Sequence, residues 1–102
     1  MKKAIQIDEK DNVATVTSDV ETGETVEVLS PDGEAIGMPK LLDPVPFGHK
    51  LALVDLEKGD RVIKYGEVIG VAAKAIRVGE WVHVHNVESA TVPTSAYKGE
   101  RG

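Results

Sequence analysis

The sequence predicts an all-β domain of short strands and glycine turns, and three observations support this fold class. Short runs of β-branched and other apolar residues recur along the chain, separated by turns rich in Gly, Pro, Asn and Asp. One local pattern, which runs apolar-x-x-Gly-acid-x-Val, occurs three times. No segment keeps the apolar spacing of an amphipathic helix beyond about one turn. A small barrel or a compact folded-over β structure satisfies all three observations.

The first half of the chain is predicted to contain three strands. Residues 4–7 form the first strand, and a polar turn at residues 8–12 separates it from a second strand at residues 13–17. A third strand covers residues 26–29 and ends in the turn Ser-Pro-Asp-Gly-Glu. Residues 37–46 contain three prolines, so we expect an extended connection across the surface there.

The second half begins with the apolar run of residues 51–54, which is short enough for a buried strand. Residues 68–72 form another strand, in which Gly70 permits the close approach of a second backbone. We assign residues 1–88 to one β domain and residues 89–102, which are polar and end in charged residues, to a flexible C-terminal tail.

Residues 78–86 hold the only tryptophan and two of the three histidines. Valines alternate with these polar residues, which predicts a strand. Successive side chains on a strand point to opposite faces, so Trp81, His83 and His85 are expected on one face, with Val82 and Val84 facing the core.

The repeated pattern predicts three tight turns of related geometry. Glycine adopts the positive φ angles that other residues avoid, and the flanking apolar residues enter the core on either side. A three-residue hairpin loop with a glycine bulge fits this spacing. The glycines concerned are Gly23, Gly59 and Gly79. Their spacing matches no phosphate-binding loop.

Composition excludes several classes of function. The 102 residues suffice for one domain, and the absence of cysteine excludes disulfides and thiol chemistry. A net charge of −5 argues against nucleic acid or an anionic membrane as the main partner. No apolar run reaches the roughly 20 residues of a membrane span, and no signal peptide is apparent, so we expect a cytoplasmic protein.

Polar side chains that suit chemistry lie at the ends of the predicted strands. Imidazoles two residues apart can bind a metal ion or an anion, and lysines add positive charge. Two solvated histidines on an edge strand are an alternative interpretation that the residues leave open. The groups are His83, His85 and Asn86; His49 and Lys50; Lys64 and Tyr65; and Asp11 and Asn12.

Four motifs in this order resemble the N-terminal domain of the altronate and galactarate dehydratase family. They are DNVAT at residues 11–15, GHKLAL at 48–53, VIKYG at 62–66 and GEWVHVHN at 79–86. The resemblance implies an SAF domain with a β-clip fold. In single-chain members a large catalytic domain follows, so this chain is expected to be the small subunit of a split enzyme, inactive without its large subunit.

The resemblance also implies a β-elimination of water from a sugar acid, and a divalent metal, Fe²⁺ or Mn²⁺, shared with the large subunit. The small subunit of sulfolactate sulfo-lyase is an alternative, and so is a non-catalytic module that binds a sugar acid or a partner. Each candidate residue receives one implied role. These roles are catalysis for His49, Lys50, Lys64 and Tyr65, substrate binding for Asp11, Asn12 and Asn86, and metal binding for His83 and His85.

Overall fold

A computed structural model describes residues 1–89, which form nine strands and no helix. The predicted all-β class is therefore confirmed, and this part of the chain has no helix that could cross a membrane. The predicted tail lies outside the described residues apart from Ser89. The strands are β1 Lys3–Ile5, β2 Val13–Val16, β3 Glu27–Leu29, β4 Ala35–Gly37, β5 Lys50–Ala52, β6 Arg61–Lys64, β7 Glu67–Ala72, β8 Trp81–Val82 and β9 Val87–Glu88.

The strands form two sheets. The larger has the order β4-β3-β1-β2-β5-β8, and the smaller has the order β6-β7-β9. All pairs are antiparallel except β1 and β3, which run parallel. Strand β8 therefore lies at one edge of the larger sheet, next to β5. This pairing brings the segment around His49 beside the segment around Trp81.

An eleven-residue unit occurs four times and supplies most of the core. Each unit places buried apolar residues at its first, fifth and eleventh positions and a glycine at its eighth. These twelve apolar residues are all at most 4% exposed, and the 16 buried hydrophobic residues of the described chain include all of them. The units are Val16-Val20-Gly23-Val26, Leu41-Val45-Gly48-Leu51, Ala52-Leu56-Gly59-Val62 and Ala72-Ile76-Gly79-Val82.

The four units associate in two pairs of similar geometry. In the first pair, Val20 and Val45 exchange backbone hydrogen bonds of 3.0 and 2.8 Å, and in the second Leu56 and Ile76 exchange bonds of 2.7 and 2.8 Å. Each glycine N–H donates to the carbonyl of the first residue of its partner unit. These bonds are Gly23 to Leu41, Gly48 to Val16, Gly59 to Ala72 and Gly79 to Ala52.

The three predicted glycine turns are confirmed, but they are not hairpin loops. Gly23, Gly59 and Gly79 have φ angles of 90°, 93° and 90°. In each turn the residue after the glycine donates its N–H to the carbonyl three residues earlier, as in a type II turn. The segments before and after each glycine do not pair with each other, as they would in a hairpin. Instead, Val20 pairs with Val45 and Leu56 pairs with Ile76, each in a different unit.

The core divides into two clusters, and β5 contributes to both. Leu51 belongs to the cluster that contains Ala4, Val16 and Val28, whereas Ala52 belongs to the cluster around Val62. Adjacent residues point to opposite faces of a strand, so one short strand can join two cores. The predicted buried strand at residues 51–54 is thus correct only in its first half, since Val54 is 45% exposed.

The predicted strand at residues 78–86 is wrong beyond Val82. Strand β8 has two residues, and residues 83–86 form a turn in which Val84 is 81% exposed. The cause is Asn86, whose Oδ1 accepts from the His83 N–H at 3.0 Å while its Nδ2 donates to the Trp81 carbonyl at 2.8 Å. A side chain that satisfies two backbone groups replaces the ladder that a longer strand would need.

The close approach predicted at Gly70 is confirmed. A Cβ built on this residue would lie 2.5 Å from Cγ1 of Val87 and 2.6 Å from the carbonyl oxygen of Glu88. Strand β9 therefore packs directly on the bare backbone of β7, and only glycine permits that contact.

Candidate functional site

Trp81 is the centre of a cluster of four aromatic rings. His83 stacks on it with centroids 5.4 Å apart and planes at 8°, and His85 contacts it at 4.9 Å. His49 lies 5.7 Å from the Trp81 ring and 4.8 Å from the His83 ring. The structure thus confirms that His49, from a distant part of the sequence, lies beside His83, and all three histidines contact the Trp81 ring.

Backbone contacts of the second and fourth units position these rings. Leu51 on β5 pairs directly with Trp81 on β8, and His49 lies two residues before Leu51. The turn at Gly48, with a φ of 82°, delivers His49 to the start of β5. Asp43 holds the other side by accepting a hydrogen bond of 3.0 Å from the Trp81 backbone N–H.

A hydrogen bond joins two members of the cluster. The indole Nε1–H of Trp81 donates to Nδ1 of His49 at 3.2 Å. An indole nitrogen only donates, so Nδ1 of His49 must be the acceptor. His49 and Trp81 are both partly buried, which reduces competition from water for this bond.

Two lysines extend the ring cluster with positive charge. Burial lowers the pKa of Lys50, and the charge of Lys64 lowers it further. Partial loss of water lowers the pKa of His83, with further contributions from His49, Lys50 and His85. These couplings show that the groups share one neighbourhood, which we call the cationic cluster: His49, Lys50, Lys64, His83 and His85.

The cationic cluster has no acidic partner within residues 1–89. The ion pairs of that part of the chain join Lys2 to Glu24, Lys3 to Glu27 and Arg77 to Asp55. A group of basic side chains without a counter-ion stands out in a chain of net charge −5. It is the arrangement expected for a site that binds an anion supplied from outside.

An open cleft lies against one side of this region. It has a volume of about 540 Å³, and its polar and aromatic lining consists of Trp81, His85, Asn86, Lys74, Asp43 and Glu80. A space of several hundred Å³ suits a small ligand. Neither His49 nor His83 lines the cleft, so Trp81 separates it from the other two imidazoles.

The three residues predicted to bind substrate use their side chains on the backbone instead. Asp11 is 5% exposed and accepts hydrogen bonds from the N–H groups of Asp8, Tyr65 and Gly66, at 2.8 to 3.1 Å. Asn12 and Asn86 also bridge backbone groups, Asn12 at Arg61 and Ile63 and Asn86 at Trp81 and His83. These contacts hold loops in place, and substrate binding by the three residues stays a prediction.

Tyr65 has an unusual backbone conformation. Its φ is 60°, the only positive value of a non-glycine residue in the described chain. It forms a tight turn with Gly66 between β6 and β7, and the Asp11 carboxylate accepts from both N–H groups. The side chain is 61% exposed, with the Lys64 ammonium 5.0 Å from its ring centroid. The turn therefore presents Lys64 and Tyr65 together at the surface.

Residues 1–89 do not form a metal site by themselves. They contain no group of three His, Cys, Asp or Glu side chains arranged to hold one ion. A divalent transition metal generally needs at least three protein ligands. His83 and His85 lie on one turn, each contacts Trp81, and within residues 1–89 no ring contact joins the two imidazoles.

Sequence reasoning placed Trp81 on the histidine face but gave it no role, and it overlooked the second eleven-residue unit. The signal for Trp81 was its position two residues before His83 in a chain with a single tryptophan. The second unit escaped notice because His49 replaces the acidic residue after the glycine and Leu51 replaces the closing valine.

Comparison with known proteins places these features in a family. The model of the altronate/galactarate dehydratase SAF domain matches residues 2–90. Altronate dehydratase of Bacillus subtilis is 36% identical over 89 residues, which are 87% of this chain and 17% of the relative. The (2R)-sulfolactate sulfo-lyase subunit alpha of Chromohalobacter salexigens is 40% identical over 74 residues, covering 72% of this chain and 79% of the relative.

Galactarate dehydratase (L-threo-forming) of Escherichia coli is 38% identical over 78 residues, which are 76% of this chain and 14% of the relative. The chain therefore spans less than a fifth of the length of these two dehydratases. The family match covers nearly all the described residues, including every member of the cationic cluster. The chain belongs to the altronate/galactarate dehydratase SAF domain family.

Proposed function

We propose that this chain is the small subunit of a lyase that catalyses β-elimination from a 2-hydroxy acid, and that its large subunit supplies the remaining catalytic groups. The observation that carries the proposal is the cationic cluster, which has no acidic partner within residues 1–89. Names of relatives in the same family, two dehydratases and a sulfo-lyase subunit, support the reaction class.

The cationic cluster suits the charge changes of this reaction. Removal of the proton next to a carboxylate places a second negative charge on that group as the enediolate forms. Lys64 provides positive charge and the imidazoles provide hydrogen-bond donors in a partly dehydrated place, where such groups stabilise developing charge most. The substrate carboxylate then takes the place of the missing acidic partner.

Lys50 is the best candidate for the base within this chain. A lysine can accept a proton only when uncharged, and burial and Lys64 both lower its pKa. In the proposed step the Lys50 amine takes the proton, the C–H electrons form the new double bond, and the β-substituent leaves. A dehydratase releases that group as water after protonation, whereas a sulfo-lyase releases sulfite.

We also propose that a divalent metal, Fe²⁺ or Mn²⁺, is held mainly by the large subunit, with His83 and His85 as the contribution of this chain. Bound there, the metal would stabilise negative charge on the substrate oxygens. Both imidazoles lie on one turn and contact Trp81, and either of them could add a ligand to a centre that the large subunit builds.

The identity of the leaving group depends on which of two substrates the enzyme uses. A sugar acid such as altronate or galactarate follows from the dehydratase relatives, and sulfolactate follows from the subunit alpha relative. The match covers 79% of the subunit alpha relative and 17% of a dehydratase. A separate small subunit is therefore known by name in this family.

The test is a turnover assay with altronate, galactarate and sulfolactate. We expect no turnover by this chain alone and activity when the cognate large subunit is added. Turnover by the isolated chain would refute the role of a dependent subunit. A large subunit that is fully active alone would reduce this chain to an accessory binding module.

Variants assayed in the assembled enzyme identify the residues of this chain that contribute to turnover. Lys50→Ala should abolish most of the activity, and His85→Ala should lower it while the chain still folds. Lys58→Ala is the matched control, because Lys58 is exposed in a turn and lies outside the cationic cluster. Equal activity of the Lys50 and Lys58 variants would contradict the assignment of the base.

A further inference from the structure

The hydrogen bond between Trp81 and His49 has a chemical consequence for the imidazole. A neutral imidazole carries one proton, on either Nδ1 or Nε2, and the contacts of the ring select between the two tautomers. Nδ1 of His49 accepts from the Trp81 indole at 3.2 Å. The proton of neutral His49 must therefore lie on Nε2.

Other ring contacts hold Trp81 so that it can act in this way. His83 stacks on its face with planes at 8°, and His85 contacts it at 4.9 Å. Its backbone is fixed by the Asp43 carboxylate on the N–H and by the Asn86 amide on the carbonyl. An indole restrained on all these sides keeps its N–H directed at one acceptor.

The free side of His49 is its Nε2–H. Within residues 1–89 no protein group accepts a hydrogen bond from this nitrogen, although His49 is only partly exposed. The adjacent Lys50 is coupled to the charge of Lys64, so positive charge lies close to this donor. A neutral donor among cations suits an anionic oxygen of a ligand.

We infer that Trp81 is a positioning residue that holds His49 as the neutral Nε2–H tautomer, so that His49 serves the site as a hydrogen-bond donor and neither as a base nor as a metal ligand at Nε2. The ligand in this statement, the carboxylate or hydroxyl of a hydroxy acid, rests on the proposed function. The tautomer and its dependence on Trp81 do not.

Nitrogen-15 NMR of the full chain tests the inference directly. Long-range proton–nitrogen correlation at about pH 8, above the ordinary imidazole pKa of about 6.5, distinguishes the two tautomers of each histidine. We expect His49 to show a protonated Nε2 and a bare Nδ1. A spectrum with the proton of His49 on Nδ1, or with a mixture of tautomers, would overturn the inference without any variant.

The variant Trp81→Phe keeps an aromatic ring and removes the indole N–H. We expect it to convert the single tautomer of His49 into a mixture, whereas Phe47→Leu, at a nearby exposed ring, leaves the tautomer unchanged. Retention of pure Nε2–H in Trp81→Phe would refute the positioning role.

A reciprocal measurement covers the case in which Trp81→Phe does not fold. The chain has one tryptophan, so its indole N–H gives one signal. In His49→Leu that signal should move to the position of a solvated indole and lose its protection from exchange. An unmoved signal would show that His49 is not the acceptor. These measurements need no substrate, so their failure is distinct from a failed turnover assay.

Discussion

Replacement of two equivalent glycines by alanine separates backbone strain from steric contact. Gly59 and Gly79 occupy the same position of their eleven-residue units and have φ angles of 93° and 90°. A Cβ on Gly59 would meet nothing within 4 Å, whereas a Cβ on Gly79 would overlap the carbonyl oxygen of Lys40. The fourth unit contacts the second at that point, so Gly79 is where the two pairs of units meet.

The expected losses of stability follow from these contacts. Forcing a non-glycine residue into the left-handed region costs about 1–2 kcal/mol, and this is the whole effect expected for Gly59→Ala. Gly79→Ala adds overpacking against fixed backbone, which typically costs about 1–3 kcal/mol, so its total is about 2–5 kcal/mol. The backbone strain is common to both variants and cancels in the comparison. The difference in unfolding free energy between the variants therefore measures the contact with Lys40.

Urea unfolding of the wild type and both variants measures this difference. The midpoint should fall for Gly59→Ala and fall further for Gly79→Ala, with unchanged slopes. Equal midpoints for the two variants would refute the contact between the second and fourth units. A wild-type midpoint for Gly59→Ala would refute the strained turn.

Two further predictions concern residues near the cationic cluster. Lys64→Met should raise the pKa of Lys50 toward 10.5 without reaching it, since burial is the larger cause of its lowering. Because the folded chain releases this proton more readily than the unfolded chain, stability should rise with pH between the lowered pKa and 10.5, over a narrower range in the variant. The pH dependence of Lys50 acetylation, with Lys58→Met as control, measures the shift, and an unchanged profile would contradict the coupling. Asp11→Ala should lower the unfolding free energy by about 2–4 kcal/mol, because three backbone N–H groups lose a charged acceptor. A loss no larger than that of the exposed control Glu9→Ala, measured by urea unfolding, would argue against this role.

Local chemistry made much of the fold predictable. The positive φ angles at Gly23, Gly59 and Gly79 and the close approach at Gly70 depend on the absence of a Cβ, which is a property of the residue itself. The strands β2 and β7 follow from runs of β-branched residues in the same way. These features needed no knowledge of what lies across the core.

The predicted strand at residues 78–86, which in the structure ends at Val82, shows where this reasoning fails. Alternating valines predict that Val84 is buried, yet it is 81% exposed because Asn86 closes a turn with the His83 and Trp81 backbone. An asparagine has the same local preferences whether it faces solvent or the backbone of its own turn. Only the packed structure decides which partner it takes.

The candidate site also combines features that follow from the sequence with features that only the tertiary structure sets. The sequence by itself determined an all-β domain, an excess of acidic residues and a few histidines and lysines at the ends of strands. Tertiary structure decided that β5 pairs with β8, which brings His49 to Trp81, and that the charge of Lys64 acts on Lys50. The physical reason is range. Turn geometry and strand preference act over a few residues, whereas hydrogen bonds and charge coupling depend on distances in space. Strand pairing creates those distances, as it does for His49 and Trp81, which are 32 residues apart in sequence.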